Sequence, residues 1–245
     1  MKGKKNISEL IDRLKQSFIL LHVPLPQVRT AAATDDGTLD SSALLTLLTD
    51  EERASAEARN DESERRHFVF RRAFQRLFVA DLTGWAGTLP DLTLRHATDT
   101  PPSCDQAPGL TLSFSSSGTT CIAAAAPDAL LGVDIEARRD ITDAGGIAAR
   151  FFSEAEADLV MRSPPEQRSE TFQTIWCAKE AGLKAKGRGI VSGLNAFTIE
   201  RDGKSWSTRD SEDAGWREWQ LWYPSGLPRH IVAVMHRSRT NSRPR

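Results

Sequence analysis

The stretch Ile175 to Ile190, IWCAKEAGLKAKGRGI, constrains this chain more than any other. As a helix it stacks Trp176, Glu180 and Lys184 on one stripe at i, i+4, i+8 spacing. Lys179 sits beside Glu180, and Lys186-Gly187-Arg188-Gly189 supplies glycines suited to closing the helix. The simplest reading of the stripe is a solvated Glu180–Lys184 pair contributing roughly 0.3 kcal/mol. A second acidic motif changes that balance. Leu130 to Glu136, LLGVDIE, follows the turn residues Pro127-Asp128 and reads as a strand. Strand period two places Asp134 and Glu136 on one face and Ile135 on the other. Two carboxylates at the end of a buried strand repel each other and are costly to desolvate. A hard cation relieves both problems: magnesium takes carboxylates, water and phosphate oxygens, and Glu180 offers a third carboxylate. A strand end emerging into solvent is the alternative.

Taken together, three segments occur in a recognisable order: GVDIE, then RFFSEAEADLV (Arg150 to Val160), then WCAKEAGLKAKGRG. This series resembles the 4'-phosphopantetheinyl transferases, in particular the monomeric, surfactin-synthetase-activating type that serves peptide and polyketide synthases. The resemblance implies an α+β fold, a pseudo-dimer of two similar α+β subdomains with the active site in the cleft between them. The boundary falls near Leu130, giving subdomains 1–129 and 130–245. The implied reaction moves the 4'-phosphopantetheine arm of coenzyme A to a serine of an apo acyl or peptidyl carrier protein, and 3',5'-ADP leaves. The resemblance further implies that Asp134, Glu136 and Glu180 hold Mg2+, with Mn2+ as a substitute. Glu180 deprotonates the serine, Lys184 neutralises or protonates the leaving phosphate, and Lys179 holds the diphosphate or guides the partner.

Composition excludes several other classes. A net charge of -1 argues against general nucleic-acid binding. The three cysteines are few, odd in number and widely spaced, which suits a reducing compartment and offers no zinc pattern. The histidines show no HExxH spacing. Asp12, Arg13 and Lys15 break the apolar run near the start, and no stretch reaches membrane-spanning length, so a cytoplasmic protein is expected; that it is a monomer is what the resemblance implies.

Along the chain, residues 7–22 predict an amphipathic helix packed on the body through Ile7, Leu10, Ile11, Leu14 and Phe18, a membrane-surface helix being the alternative. Ala31 to Ser42 reads as a loop and Leu44 to Ala58 as one helical segment. Ser63 to Leu82 is the strongest helix of the first half, with a Phe70, Phe74, Leu77, Phe78 stripe, a crowd of arginines and Gly84 at its end. Such a charge run is usually a solvated face; the resemblance instead makes His67 and Arg72 coenzyme A contacts. The chain departs from the family pattern twice. Thr100-Pro101-Pro102 stands where a G-[KR]-P turn is usual. Ser115-Ser116-Ser117-Gly118 stands over S-H-S-G, so Ser116 replaces a histidine that meets the 3'-phosphate. Ser115 and Ser116 can still bind phosphate through hydroxyls and turn amides, and weaker coenzyme A binding or a compensating arginine is expected. A plain hairpin turn is the other reading.

Further on, Ile141 to Arg150 predicts a helix, and Ser153 with Glu156 a capping box, which makes Glu156 structural. Trp176 and Phe172 read as core residues of a helix from Ser169 to Lys186. Three strands are expected at Asn195 to Glu200, Trp216 to Tyr223 and His230 to His236. Two functional readings outside transfer stay open: a non-catalytic protein of the same fold that binds coenzyme A or a carrier, and an unrelated α+β interaction domain.

Overall fold

The computed structural model describes residues 2–24, 27–96, 100–187, 194, 197–203, 205–209 and 219–238, with the backbone alone at 2–6 and 209. The first half runs α1 (Lys2–Gln16), β1 (Ile19–Leu20), β2 (Arg29–Thr34), α2 (Ser41–Leu45), α3 (Asp50–Glu57) and α4 (Glu62–Thr83). It continues with β3 (Leu94–Arg95), β4 (Ser103–Cys104), β5 (Leu110–Ser117) and β6 (Thr120–Pro127). Then come β7 (Ala129–Ala137), α5 (Ala144–Phe151), α6 (Glu154–Arg162), α7 (Arg168–Ala185), β8 (Thr198–Asp202), β9 (Ser205–Arg209), β10 (Gln220–Trp222) and β11 (His230–Ser238). The fold is α+β, and every pairing within its sheets is antiparallel.

Two sheets carry the molecule, one ordered β1-β2-β6-β5 and the other β10-β11-β7. Strand alternation divides their side chains among three cores. Leu112, Cys121, Ala123 and Ala125 face α4 and meet Phe70, Phe74 and Leu77. Ile231, Ala233 and Met235 face α7 and meet Ala178, Ala181 and Ala185. Between the sheets, Ala32, Ile122 and Ala124 pack against Leu131, Val133, Ile135, Val232 and Val234. Where β5 meets β7, side-chain hydroxyls do the joining. Thr111 donates to the Ala129 carbonyl at 2.7 Å, Ser113 accepts from the Val133 amide at 3.0 Å, and Ser117 accepts from the Ala137 amide at 2.9 Å.

Several expectations are corrected. Ala31 to Ala33 belong to β2, not to a loop, and are buried. Alanine favours strands weakly, but these three pair with Ala123, Ile122 and Cys121 of β6, and burial overrides propensity. The Leu44–Ala58 segment is two helices, because Thr49 and Glu52 form a capping box that starts α3 afresh. The first helix ends at Gln16 and gives way to β1; Leu14 is fully buried while Ile7 is exposed. The serines are strand rather than turn, and the turn is made at Gly118, φ 56°. By contrast α4 ends at Gly84 with φ 63°, and Ser153–Glu156 forms the expected capping box. Arg188, Gly189, Asn195 and residues 216–218 lie outside the described residues.

One contact fixes the position of the second long helix. A Cβ on Gly132 would lie 1.8 Å from the Ala181 carbonyl oxygen, so α7 presses its backbone directly onto β7. A Cβ on Gly182 would meet the Phe197 ring at 2.5 Å and Met235 Sδ at 3.0 Å. Neither backbone can retreat without opening a buried core. Gly132→Ala is therefore expected to lower unfolding free energy by about 3 kcal/mol, the upper range for overpacking; urea denaturation measures it, and an unchanged midpoint would contradict the close approach.

Candidate active site

Asp134 and Glu136 leave β7 on the side that faces α7, while Ile135 enters the core between the sheets. From α7, Glu180 and Lys184 come down onto them one turn apart. Lys184 Nζ donates to Asp134 Oδ1 at 2.6 Å and to Ser115 Oγ at 2.9 Å. Ser115 Oγ in turn donates to the same Asp134 oxygen at 2.7 Å. Elements distant in sequence thus meet at one carboxylate oxygen.

Two other oxygens are less well served. Among the described residues, Asp134 Oδ2 and Glu180 Oε1 are buried without a nitrogen or oxygen donor, and only the weakly donating Cys177 thiol lies against the Asp134 carboxylate. Burial, then the charge of Asp134, pushes the Glu180 carboxyl up to about 7, with Lys184 pulling the other way. Glu136 is raised for the same two reasons, opposed by Arg139, Lys184 and a hydrogen bond from the Trp176 indole. Among the described residues no three His, Cys, Asp or Glu side chains converge closely enough to enclose a metal ion. The orphaned oxygens still suit a hard divalent cation, since buried carboxylate atoms without donors need one. Beside them, Glu136, Arg139, Ile141, Ile147, Phe172 and Trp176 line a recess of about 250 Å³. Trp176 stacks on Phe172 at 5.9 Å and so serves both core and recess.

Lys179 is a correction. It is fully buried, paired with the equally buried Glu156 at 2.8 Å, and it donates to the carbonyls of Leu194 at 2.5 Å and Phe197 at 2.7 Å. Every proton of its ammonium is committed inside the second core, so it neither touches a diphosphate nor steers a partner. Glu156 also accepts from the Ile199 amide, which ties α6 to β8.

The arginines of α4 sort into two groups. Arg66 clasps Asp35 at 2.6 and 2.7 Å, and Arg76 is buried on Glu52 and the carbonyls of Leu89 and Leu92. Those two are structural. Arg71 and Arg72 gather with Arg59 around the Phe68 ring, their guanidinium carbons 5.8, 5.3 and 3.8 Å from its centroid. Arg71 has no carboxylate partner, and its buried Nε is unbonded. Arg72 lies 3.8 Å from Glu52, and burial brings it down to about 10. His67 Nδ1 is also buried and bare; burial and then Arg71 lower its pKa. Ser116 belongs to this group, because it pairs with Cys121, whose thiol feels Arg71. Its neighbour Ser115 points instead at Asp134.

Two members escaped the sequence reading. Arg71 is the residue four after His67, a polar stripe beside the Phe70–Phe74 stripe, and that spacing could have singled it out. His96, beside Phe114, has its pKa lowered, by desolvation and then by Arg72; no local pattern announces it.

With this geometry in place, the relatives can be compared. A family model described as the 4'-phosphopantetheinyl transferase superfamily matches residues 130–234, which run from β7 into β11. The match covers most of the second half of the chain. The chain is similar to the 4'-phosphopantetheinyl transferase psf-1 of Bacillus pumilus, 37% identical over 42% of this chain and 44% of the relative. It is 36% identical to HetI of Nostoc over 34% of this chain and 35% of the relative. It is 30% identical to Sfp of Bacillus subtilis over 30% of this chain and 33% of the relative. The chain thus spans less than half the length of the curated relatives it matches. Among the described residues no helix is long and apolar enough to cross a membrane.

Two measurements test the site as drawn. Lys179→Ala leaves Glu156 buried and unpaired, so it is expected to cost about 3–5 kcal/mol. Lys179→Met with Glu156→Gln should recover much of that in urea denaturation, whereas a ligand-binding lysine would leave stability nearly unchanged. Glu180 sets a pH dependence. Its folded pKa lies above the ordinary 4.5, so the folded state binds the extra proton. The stability this contributes is complete below about 4.5 and is lost as pH rises toward and through about 7. In chelator, Glu180→Gln should therefore gain thermal stability relative to wild type between pH 5 and pH 8; parallel curves would contradict the raised pKa.

Proposed function

We propose that the protein is a phosphopantetheinyl transferase that moves the 4'-phosphopantetheine arm of coenzyme A onto a serine of an apo carrier protein. The observation that carries this reading is the meeting of Asp134, Glu180 and Lys184 with Ser115, two carboxylate oxygens having no nitrogen or oxygen donor among the described residues. The match over residues 130–234 supports it. In this reading residues 1–129 and 130–245 are two similar α+β subdomains, each packing one long helix on its own sheet, with the substrate between them. A cytoplasmic monomer serving secondary metabolism is the finer form of the proposal.

The chemistry follows from charge. The carrier serine Oγ forms a bond to the β-phosphorus of coenzyme A as the bond to the bridging oxygen breaks, and 3',5'-ADP departs. Glu180, with a pKa near 7, accepts the serine proton. Lys184 stands where it can neutralise the departing phosphate. Asp134, Glu136 and Glu180 would hold a magnesium ion, which supplies charge neutralisation on the phosphate oxygens. Arg71 and His67 offer buried nitrogens without a partner to the nucleotide phosphate, Arg72 adds a guanidinium shared with Glu52, and Arg71 gives back the positive charge that Ser116 lacks. The recess beside Trp176 offers an apolar wall to the pantetheine arm.

The test is the intact mass of an apo carrier protein after incubation with this protein, coenzyme A and magnesium. A gain of one phosphopantetheine arm is expected, abolished by chelator and by Glu180→Gln, while Arg71→Gln should raise KM for coenzyme A about tenfold. No gain on fatty-acid or peptide-synthesis carriers, with coenzyme A still bound, would identify a binding protein of the same fold instead.

A further inference from the structure

Lys184 does more in this structure than face a substrate. Its ammonium is bonded to Asp134 and acts electrostatically on both Glu136, where Arg139 acts more strongly, and Glu180. Asp134 Oδ1 is saturated by two donors, Lys184 and Ser115, whereas among the described residues Asp134 Oδ2 and Glu180 Oε1 have no nitrogen or oxygen donor, the Cys177 thiol alone lying against the Asp134 carboxylate. Among the described residues the carboxylates do not converge on a metal site, and this lysine lies against Asp134. Its side chain is 32% exposed and its stem is flexible, so it can leave.

We propose that Lys184 is a tethered stand-in for the divalent cation: it holds Asp134 in the unloaded protein and is released toward the substrate phosphate when a metal ion takes the carboxylates. The inference rests on the metal-dependent transferase reading. One ammonium cannot bond the substrate phosphate and Asp134 equally well, so arrival of the cation both completes the carboxylate site and frees the lysine. The group that faces it from the neighbouring strand, Ser115, keeps hold of Asp134 throughout.

Mn2+ titration by calorimetry without coenzyme A tests this. Lys184→Met should bind Mn2+ at least about tenfold more tightly than wild type, and Lys184→Arg no more tightly than wild type. Arg139→Gln removes another nearby positive charge that does not bond Asp134, and it should change affinity far less. Equal Mn2+ affinity in wild type and Lys184→Met, or an equal gain in Arg139→Gln, would overturn the proposal while leaving the transferase intact. No Mn2+ binding by any form would overturn the metal reading as well. In the wild-type protein, acetic anhydride should acetylate Lys184 faster with magnesium than with chelator, read by peptide mass; an unchanged rate also overturns it.

Discussion

The backbone of α7 lies against the backbone of β7 at Gly132, and most of the second half of the structure follows from that contact. With no side chain at Gly132 and none at Gly182, the helix sinks until Ala178, Ala181 and Ala185 close over the sheet. A helix set so deep is buried on nearly every side, and its polar groups must find partners within the protein. Thr174 returns its hydroxyl to the Glu170 carbonyl at 2.7 Å, and Gln173 donates to the Ala137 carbonyl at 2.7 Å while accepting from the Arg139 amide. Lys179 has three oxygen partners. Against that background, Glu180 Oε1 stands out as a buried oxygen without a donor among the described residues.

Helix geometry decides why two lysines five positions apart have opposite fates. Five residues turn an α-helix by about 140° beyond a full circle. Lys179 therefore points into the second core and Lys184 toward β7 and β5. The first is immobilised by a buried ion pair that locks α6, α7 and the start of β8 together. The second sits on a half-open face with a flexible stem. The resemblance to a family motif names both residues in one signature and cannot separate them; the angle between their side chains can.

The sequence was legible where a local rule operates without competition. The alternation in LLGVDIE put Ile135 in the core and Asp134 and Glu136 on the facing side. Gly84 and the Ser153–Glu156 box marked helix ends because caps are local chemistry. Residues Ala31 to Ala33 were opaque, since alanine carries no strand signal and their placement is decided by β6, far along the chain. The serines of β5 were misleading for a related reason. Ser and Gly together signal a turn, but Ser113 and Ser117 use their hydroxyls to join β5 to β7, an interaction visible only once both strands are in place. The arginines of α4 were visible as a run, yet which were already neutralised depended on Asp35 and Glu52 from other elements.

That partition of charge makes β5 the strand that divides two unsatisfied regions. Ser115 turns to Asp134 and Lys184, where carboxylates outnumber cations; Ser116, the next residue, turns to the side of α4, where Arg71 and His67 lack anions. An anion alone would be drawn to the second region and repelled by the first. A cation alone would meet the opposite balance. A polyphosphate carrying its own divalent ion matches both, because the metal answers the carboxylates and the phosphates answer the arginines. Burying either region costs more without a ligand of the other sign, and the two regions flank one strand.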